Sequence, residues 1–261
     1  MGWSPLGTQF CLELAFGVLL ALAFVGRAPI GPFFHRVMGT AALVPLLAAT
    51  VLPVADDQLA WSEPQLLLSA LAVVLYPGFA GPLRSARRAA TLYAALVGCG
   101  LALILAVRRV ELVSGPLQLG VASWSALATG AVAGSVGLAM VLGHWYLTIP
   151  DLDVRHLQRL NRVTAGAMLA SLAALGATCL VYAEPLRSAG TPLFGPWGLF
   201  YLGTRIATGL ALPLCFAWMA ASSLAYRNTR SATGILYAST VLVLIGTAVS
   251  ISLQDSYGIP L

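Results

Sequence analysis

Eight apolar stretches fill the chain, separated by short polar loops: Gln9–Gly26, Val37–Val54, Gln65–Ala80, Ala89–Val107, Val121–Leu147, Val163–Tyr182, Trp197–Tyr226 and Ser231–Leu253. About 20 apolar residues are needed to cross the roughly 30 Å hydrocarbon layer of a bilayer. The pattern therefore predicts an all-α fold class: a polytopic integral membrane helix bundle of about eight transmembrane helices, forming one domain over residues 1–261. No loop is long enough to hold a soluble domain of its own. The third stretch is the shortest and ends in Tyr76-Pro77-Gly78. Pro45, Pro77 and Pro213 lie within or at the ends of spans, where they are expected to kink the helices. No matching pair of interruptions is legible in the two halves of the chain, so the pattern does not point to a central transport site.

The loops carry a second periodicity. Arg27, Arg36, Arg84, Arg87, Arg88, Arg155, Arg159, Arg162, Arg227 and Arg230 fall on odd-numbered loops, against Arg108, Arg109 and Arg187 on even-numbered ones. The positive-inside rule then places the odd loops in the cytoplasm and both termini outside. A bacterial inner membrane is the expected location. The opening MGWSPLGTQF has no basic residue before the apolar run and does not read as a removable signal peptide.

Composition sharpens this reading. Hydrophobic residues make up 59% of the chain and charged ones 9%, and mean hydropathy is +0.88. All 14 basic residues are arginine, which excludes a lysine Schiff base and a phosphate-loop lysine. The net charge of +5 is assigned to cytoplasmic loops and lipid headgroups, and nucleic acid is not an expected partner. Cys11, Cys99, Cys179 and Cys215 all fall in predicted spans without CxxC spacing and read as small hydrophobes. No zinc site, nucleophile–base pair or paired-carboxylate centre is visible, so no metal or catalytic residue is assigned.

Three local patterns organise the interior and its edges. Residues 150–162, beginning at Pro150 and Asp151, predict a short cytoplasmic amphipathic helix. Its Arg155, Arg159 and Arg162 would contact lipid phosphates or a soluble partner. Gly130 and Gly134 form a GxxxG pair, extended by Ala126 and Gly137, that predicts close helix packing. Arg88-Ala-Ala-Thr91 before the fourth span echoes Arg230-Ser-Ala-Thr233 before the eighth, from an ancient duplication or from shared interface chemistry.

Charges inside spans cost about 2.5–3.5 kcal/mol each at a helix centre. Glu13 lies one turn into the first span. Arg205 lies eight residues past Trp197, about 12 Å deep at 1.5 Å per residue. Both are expected in the outer half, either as a structural ion pair or flanking an outward-facing ligand pocket with Tyr201 and Thr208. At the inner face His144 and His35 are candidate ligand-binding residues. One haem b held by both is geometrically conceivable; two stacked haems are not, since the outer half has no histidine. No covalently bound cofactor is expected.

The last span, Gly234-Ile-Leu-Tyr-Ala-Ser-Thr-Val-Leu-Val-Leu-Ile-Gly246, together with eight spans and outward termini, resembles the membrane anchor subunits of molybdenum-type respiratory reductases. These are the DMSO-reductase-anchor and NrfD-like proteins. In those anchors the span leads to Gly-Glu and then an arginine; here Thr247 follows Gly246 and Ser250-Ile-Ser-Leu253 stands where the arginine would be. The resemblance implies a quinol bound near the outer face and an electron-transferring iron–sulfur subunit docked there. The first functional expectation is accordingly a membrane anchor or quinone-interacting subunit of a respiratory electron-transfer complex. It would not be catalytic alone, and membrane lipid and other subunits would be its partners. The alternatives are a small-solute or ion transporter and a structural or assembly subunit without a ligand.

Overall fold

Proline is the first residue of four helices, at Pro32, Pro64, Pro116 and Pro196. There its missing N–H costs nothing and its fixed φ suits the helix. Two further starts are capped by side chains: Ser85 accepts from the Arg88 N–H, and Asn228 accepts from the Ser231 N–H. The computed structural model describes residues 3–149 and 152–261. Its helices are α1 (Trp3–Val25), α2 (Pro32–Ala55), α3 (Pro64–Val74), α4 (Tyr76–Phe79), α5 (Ala86–Arg108), α6 (Pro116–Thr148), α7 (Arg155–Val181), α8 (Ala183–Ser188), α9 (Pro196–Ile206), α10 (Leu212–Ala225) and α11 (Thr229–Tyr257). A π-helical turn, Ala207–Ala211, joins α9 to α10.

The described residues form an all-α bundle in which seven helical segments are long and apolar enough to cross a membrane. They match the predicted spans except the third. That stretch is two short helices, α3 and α4, meeting at Leu75. Pro77 is the cause: it offers no N–H to the Val73 carbonyl, and its ring crowds that carbonyl. Residues 64–79 nevertheless run from one face of the bundle to the other. Glu63, just before α3, bonds Arg109 just after α5, whereas the Leu83 N–H, just after α4, donates to the Gly26 carbonyl.

The same contacts define two faces. On one lie the starts of α1 and α6 and the ends of α5, α7 and α11, tied by Gln9 to Gln254 and by the Tyr182 hydroxyl to the Gln118 carbonyl. On the other lie the ends of α1, α4, α6 and α10 and the starts of α2, α7 and α11. Phe34 stacks edge-on against Trp145 there, and Gln158 donates to the Leu224 carbonyl.

Packing order repeats between the halves. α1 packs on α2 and α5, and α3 on α2 and α5; correspondingly α6 packs on α7 and α11, and α10 on α7 and α11. The third member of each half is interrupted, at Leu75 and at Ala207–Ala211. The sequence pattern did not show this pairing, because the second interruption leaves helical dihedrals intact and shifts only the hydrogen-bond register. Pro213, which cannot bond the Gly209 carbonyl, accounts for that shift. Pro45 and Pro53, by contrast, sit inside a helix that continues through them.

α1 and α6 meet at the centre with their backbones in contact. A Cβ on Gly17 would fall inside the Gly130 carbonyl, one on Gly130 inside the backbone of Glu13, and one on Gly134 inside that of Gly17 and Val18. The GxxxG pair is thus matched by a glycine on the partner helix, as close helix approach requires. Gly137 takes no part, since a Cβ there would meet nothing within 4 Å. Gly130→Val is expected to destabilise the bundle by about 1–3 kcal/mol or more, whereas Gly137→Ala leaves stability unchanged or slightly raised. Thermal unfolding of both variants in mild detergent checks the contrast.

Candidate functional site

Arg205 lies in the last turn of α9, just before the π-helical turn, and is 1% exposed. Its Nη2 donates to Thr129 Oγ1 on α6 at 3.0 Å and to Ser171 Oγ on α7 at 3.5 Å, while its Nε has no partner. Glu13, 7% exposed on α1, accepts at 2.8 Å from Gln9 Nε2, one turn earlier on the same helix. The two opposite charges lie within each other's field but form no ion pair within 4.0 Å among the described residues. Of the two arrangements open from sequence, the contact pair is not formed, and neither residue is among those lining the cavity described below. An isolated charge so buried costs several kcal/mol, and each of these offsets part of the other's cost.

Gln9 extends this polar group to a cavity. Its Nε2 also donates to Gln254 Oε1 at 3.1 Å, and Gln254 Nε2 returns a bond to Gln9 Oε1 at 2.5 Å. This reciprocal amide pair joins α1 to α11. Both glutamines line a cavity of about 640 Å³ that opens at the face carrying the Glu63–Arg109 pair, within the volume range of small-ligand sites. Pro5, Pro53, Leu59, Ala106, Val110 and Leu112 supply apolar wall, and Arg109 and Glu111 also line it. Thr8 and Gln65, each 3% exposed, line it too, and Thr8 Oγ1 and Gln65 Oε1 have no hydrogen-bond partner. A buried polar atom without a partner costs about 1–3 kcal/mol. Thr8 on α1 and Gln65 on α3 thus each carry one unpaired polar atom in the lining of this cavity.

The corresponding place in the second half is filled. Leu186, Leu193, Leu202, Tyr257, Ile259 and Leu261 close together between the ends of α7 and α11. The Ser250 hydroxyl there donates to the Leu261 carbonyl. The first half keeps a cavity of about 640 Å³ open at this face.

The other sequence candidates are placed differently. Tyr201 is exposed, stacked on Phe200, and borders a recess of about 130 Å³ with Trp197 and Ser252. Thr208 donates to the Thr204 carbonyl of its own helix. Neither joins Glu13 and Arg205. His144 is exposed and meets Tyr237 Oη through Nδ1 at 3.3 Å. His35 is buried, with Nδ1 against the Gly31 carbonyl at 2.9 Å and Nε2 unpartnered. The two rings are thus engaged separately. Among the described residues no group of three His, Cys, Asp or Glu is arranged to hold a metal ion.

Pro150 and Asp151, read as the start of an amphipathic helix, lie outside the described residues. From Arg155 onward the segment is the first turns of α7 rather than a separate helix. Leu157 and Leu160 are buried and Arg155, Arg159 and Arg162 exposed, as the amphipathic pattern requires. Arg155 Nε pairs with Asp153 at 2.9 Å, and the Arg159 guanidinium sits 5.4 Å over the Phe24 ring. The Arg155 backbone N–H, which Asp153 accepts, is the main cause holding that carboxyl below its usual range.

Thr8, Gln9, Gln65 and Gln254 were not legible as a site, being uncharged and far apart in sequence. One signal was present: Gln9 and Glu13 are spaced i, i+4 and so share a helix face. Comparisons with family models, with curated proteins and with solved structures return no match to this chain.

Arg205→Gln is expected to cost about 3–5 kcal/mol, because it leaves Glu13 buried without compensation. Adding Glu13→Gln should restore a large part of that loss. A double-mutant cycle on unfolding in mild detergent measures the coupling, and simple additivity would mean the two charges do not interact.

Proposed function

We propose that this chain is a quinone-interacting subunit of a respiratory electron-transfer complex in a bacterial inner membrane. One observation carries the reading: the cavity of about 640 Å³, whose walls are part apolar (Pro5, Pro53, Leu59, Ala106, Val110, Leu112) and part polar, with two buried, unpartnered polar atoms among its lining residues, Thr8 Oγ1 and Gln65 Oε1. A quinone headgroup is a flat apolar ring bearing two oxygen atoms, and its long tail needs apolar surroundings. The ring lies against the apolar part of the wall, and the hydroxyl of the reduced form, the quinol, can donate to Gln65 Oε1 while its other oxygen accepts from the Thr8 hydroxyl.

The course of the polar groups favours binding over transport. They run from the cavity through Gln9 and Glu13 to Arg205, Thr129 and Ser171. Beyond them come the backbone contact of Gly17 with Gly130 and Gly134 and an apolar cluster of Val132, Val136, Met168, Leu210 and Val243. The cavity has its mouth at the face carrying the Glu63–Arg109 pair. On this reading the electrons of a bound quinol pass to a redox carrier in a partner subunit docked over that mouth, so the chain does not turn over alone.

We take residues 64–79 as an eighth crossing, since they run from face to face. The face carrying Arg27, Arg36, Arg84, Arg87 and Arg88 is then cytoplasmic, and the cavity and both termini lie outside. A reporter active only outside the cytoplasm, fused after Leu261, should be active; fused between Pro82 and Arg84 it should be silent. The reverse pattern would invert the topology.

The binding reading is tested by purification in mild detergent and quantification of co-extracted quinone. Wild-type protein should carry quinone near stoichiometrically, together with redox subunits. A Thr8→Val, Gln65→Leu double variant should lose bound quinone at least tenfold with its melting temperature preserved. Wild-type protein that purifies alone and without quinone would overturn the proposal.

A further inference from the structure

α7 begins at the face where α1 and α10 end, and its first turns carry Arg155, Arg159 and Arg162 on one exposed side. Contacts with the neighbouring helices fix their level. The Arg159 guanidinium sits over the Phe24 ring, one residue short of the end of α1. Gln158 donates to the carbonyl of Leu224, one residue short of the end of α10. Arg162 then lies about 4.5 Å farther into the bundle, at 1.5 Å per residue. The same side of α7 continues as Gly166, Leu169, Ala173 and Leu180, all exposed and apolar. Lengthwise, this face is cationic at its start and apolar beyond.

The three arginines are not equivalent. Arg155 is paired with Asp153. Arg159 and Arg162, three residues apart and so neighbours on the helix surface, form no ion pair and donate no hydrogen bond among the described residues. No acid stands on α6, α7 or α10, and Glu13 on α1 and Asp255 on α11 lie toward the opposite, cavity-bearing face. The positive end of the α7 dipole adds to the same charge. Two guanidinium groups thus stand uncompensated at the head of an apolar strip.

We infer that this face of α7 binds an anionic phospholipid, its phosphate held by Arg159 and Arg162 and its acyl chains lying along Gly166, Leu169 and Ala173. The inference rests on the bundle spanning a bilayer and is independent of what the cavity holds. Guanidinium N–H groups match phosphate oxygens as a fork. The cation–π contact with Phe24 steadies Arg159, and the long stem of Arg162 lets its head reach back to headgroup level from one turn deeper. A zwitterionic lipid offers the same phosphate, but its ammonium group cancels the charge and is repelled by the guanidinium pair. Phosphatidylglycerol, with an uncharged group beyond the phosphate, keeps its net charge. An acidic soluble segment would match the arginines but not the apolar strip that continues from them.

Native mass spectrometry of purified full-length protein in a neutral detergent tests this, with phosphatidylglycerol and phosphatidylethanolamine of matched chains added in equal amounts. Wild-type protein should retain phosphatidylglycerol in preference. Arg162→Gln should lower affinity for it about fivefold, and Arg159→Gln with Arg162→Gln about twentyfold, with the melting temperature in lipid-free detergent preserved. Arg84→Gln with Arg87→Gln, which removes two exposed arginines from the same face of the bundle, should change it little. A photoactivatable phosphatidylglycerol should label α7 between Arg159 and Ala173. Equal retention of the two lipids by wild type, unchanged retention in the Arg159, Arg162 variant, or an equal loss in the Arg84, Arg87 variant would overturn the inference. Stabilisation of wild type by inorganic phosphate equal to that by phosphatidylglycerol would also overturn it, assigning the arginines to a soluble anion.

Discussion

The close approach of α1 to α6 at Gly17, Gly130 and Gly134 is the constraint on which the rest of the bundle depends. In a bilayer there is no hydrophobic gain from hiding one apolar helix behind another, so association rests on van der Waals contact and polar bonds. Three glycines let the two central backbones touch. Because α1 is pinned there, Glu13 stands one turn toward the open face, beside the α6 segment that offers Thr129 to Arg205. A wider spacing would separate these charges and leave each without compensation in a low-dielectric interior.

Around this contact the two halves repeat one packing order but finish differently. The second half spends its own residues on closure: Leu193, Ile259 and Leu261 are fully packed where the first half leaves a cavity. The interruption in the third helix of each half has a local cause in proline chemistry. In the second half the π-helical turn brings Gly209 against Gly246 of α11, and no side chain could be added at either position without displacing the other backbone. That contact holds α9 so that Arg205, just before the turn, points into the bundle.

Class, helix positions and the two charged residues were legible in the sequence because each rests on a strong, local signal. Long apolar runs report lipid, and a lone Glu13 or Arg205 within such a run reports a cost that something must offset. The GxxxG pair was legible for the same reason, though its partner Gly17 was not, since a single glycine on α1 has no pattern around it. The cavity was hidden because its polar residues come from the ends of α1, α3 and α11, and uncharged glutamines near span ends are unremarkable one at a time. Tyr201 and Thr208 show the limit of helix-neighbour reasoning. They sit one turn either side of Arg205, yet Tyr201 is exposed and Thr208 bonds its own backbone. Which side of a helix faces the interior is decided by the other helices.

The central claim is that the cavity between α1, α3, α5 and α11 holds a quinone headgroup. Photo-crosslinking with a short-tailed azido-quinone, followed by mapping of the labelled peptides, addresses it most directly. The account places the label on peptides containing Thr8 and Gln9, Gln65, or Gln254, with labelling suppressed by excess unlabelled quinone. Label confined to the exposed surface of α9 and α10, or unaffected by competitor, would contradict it.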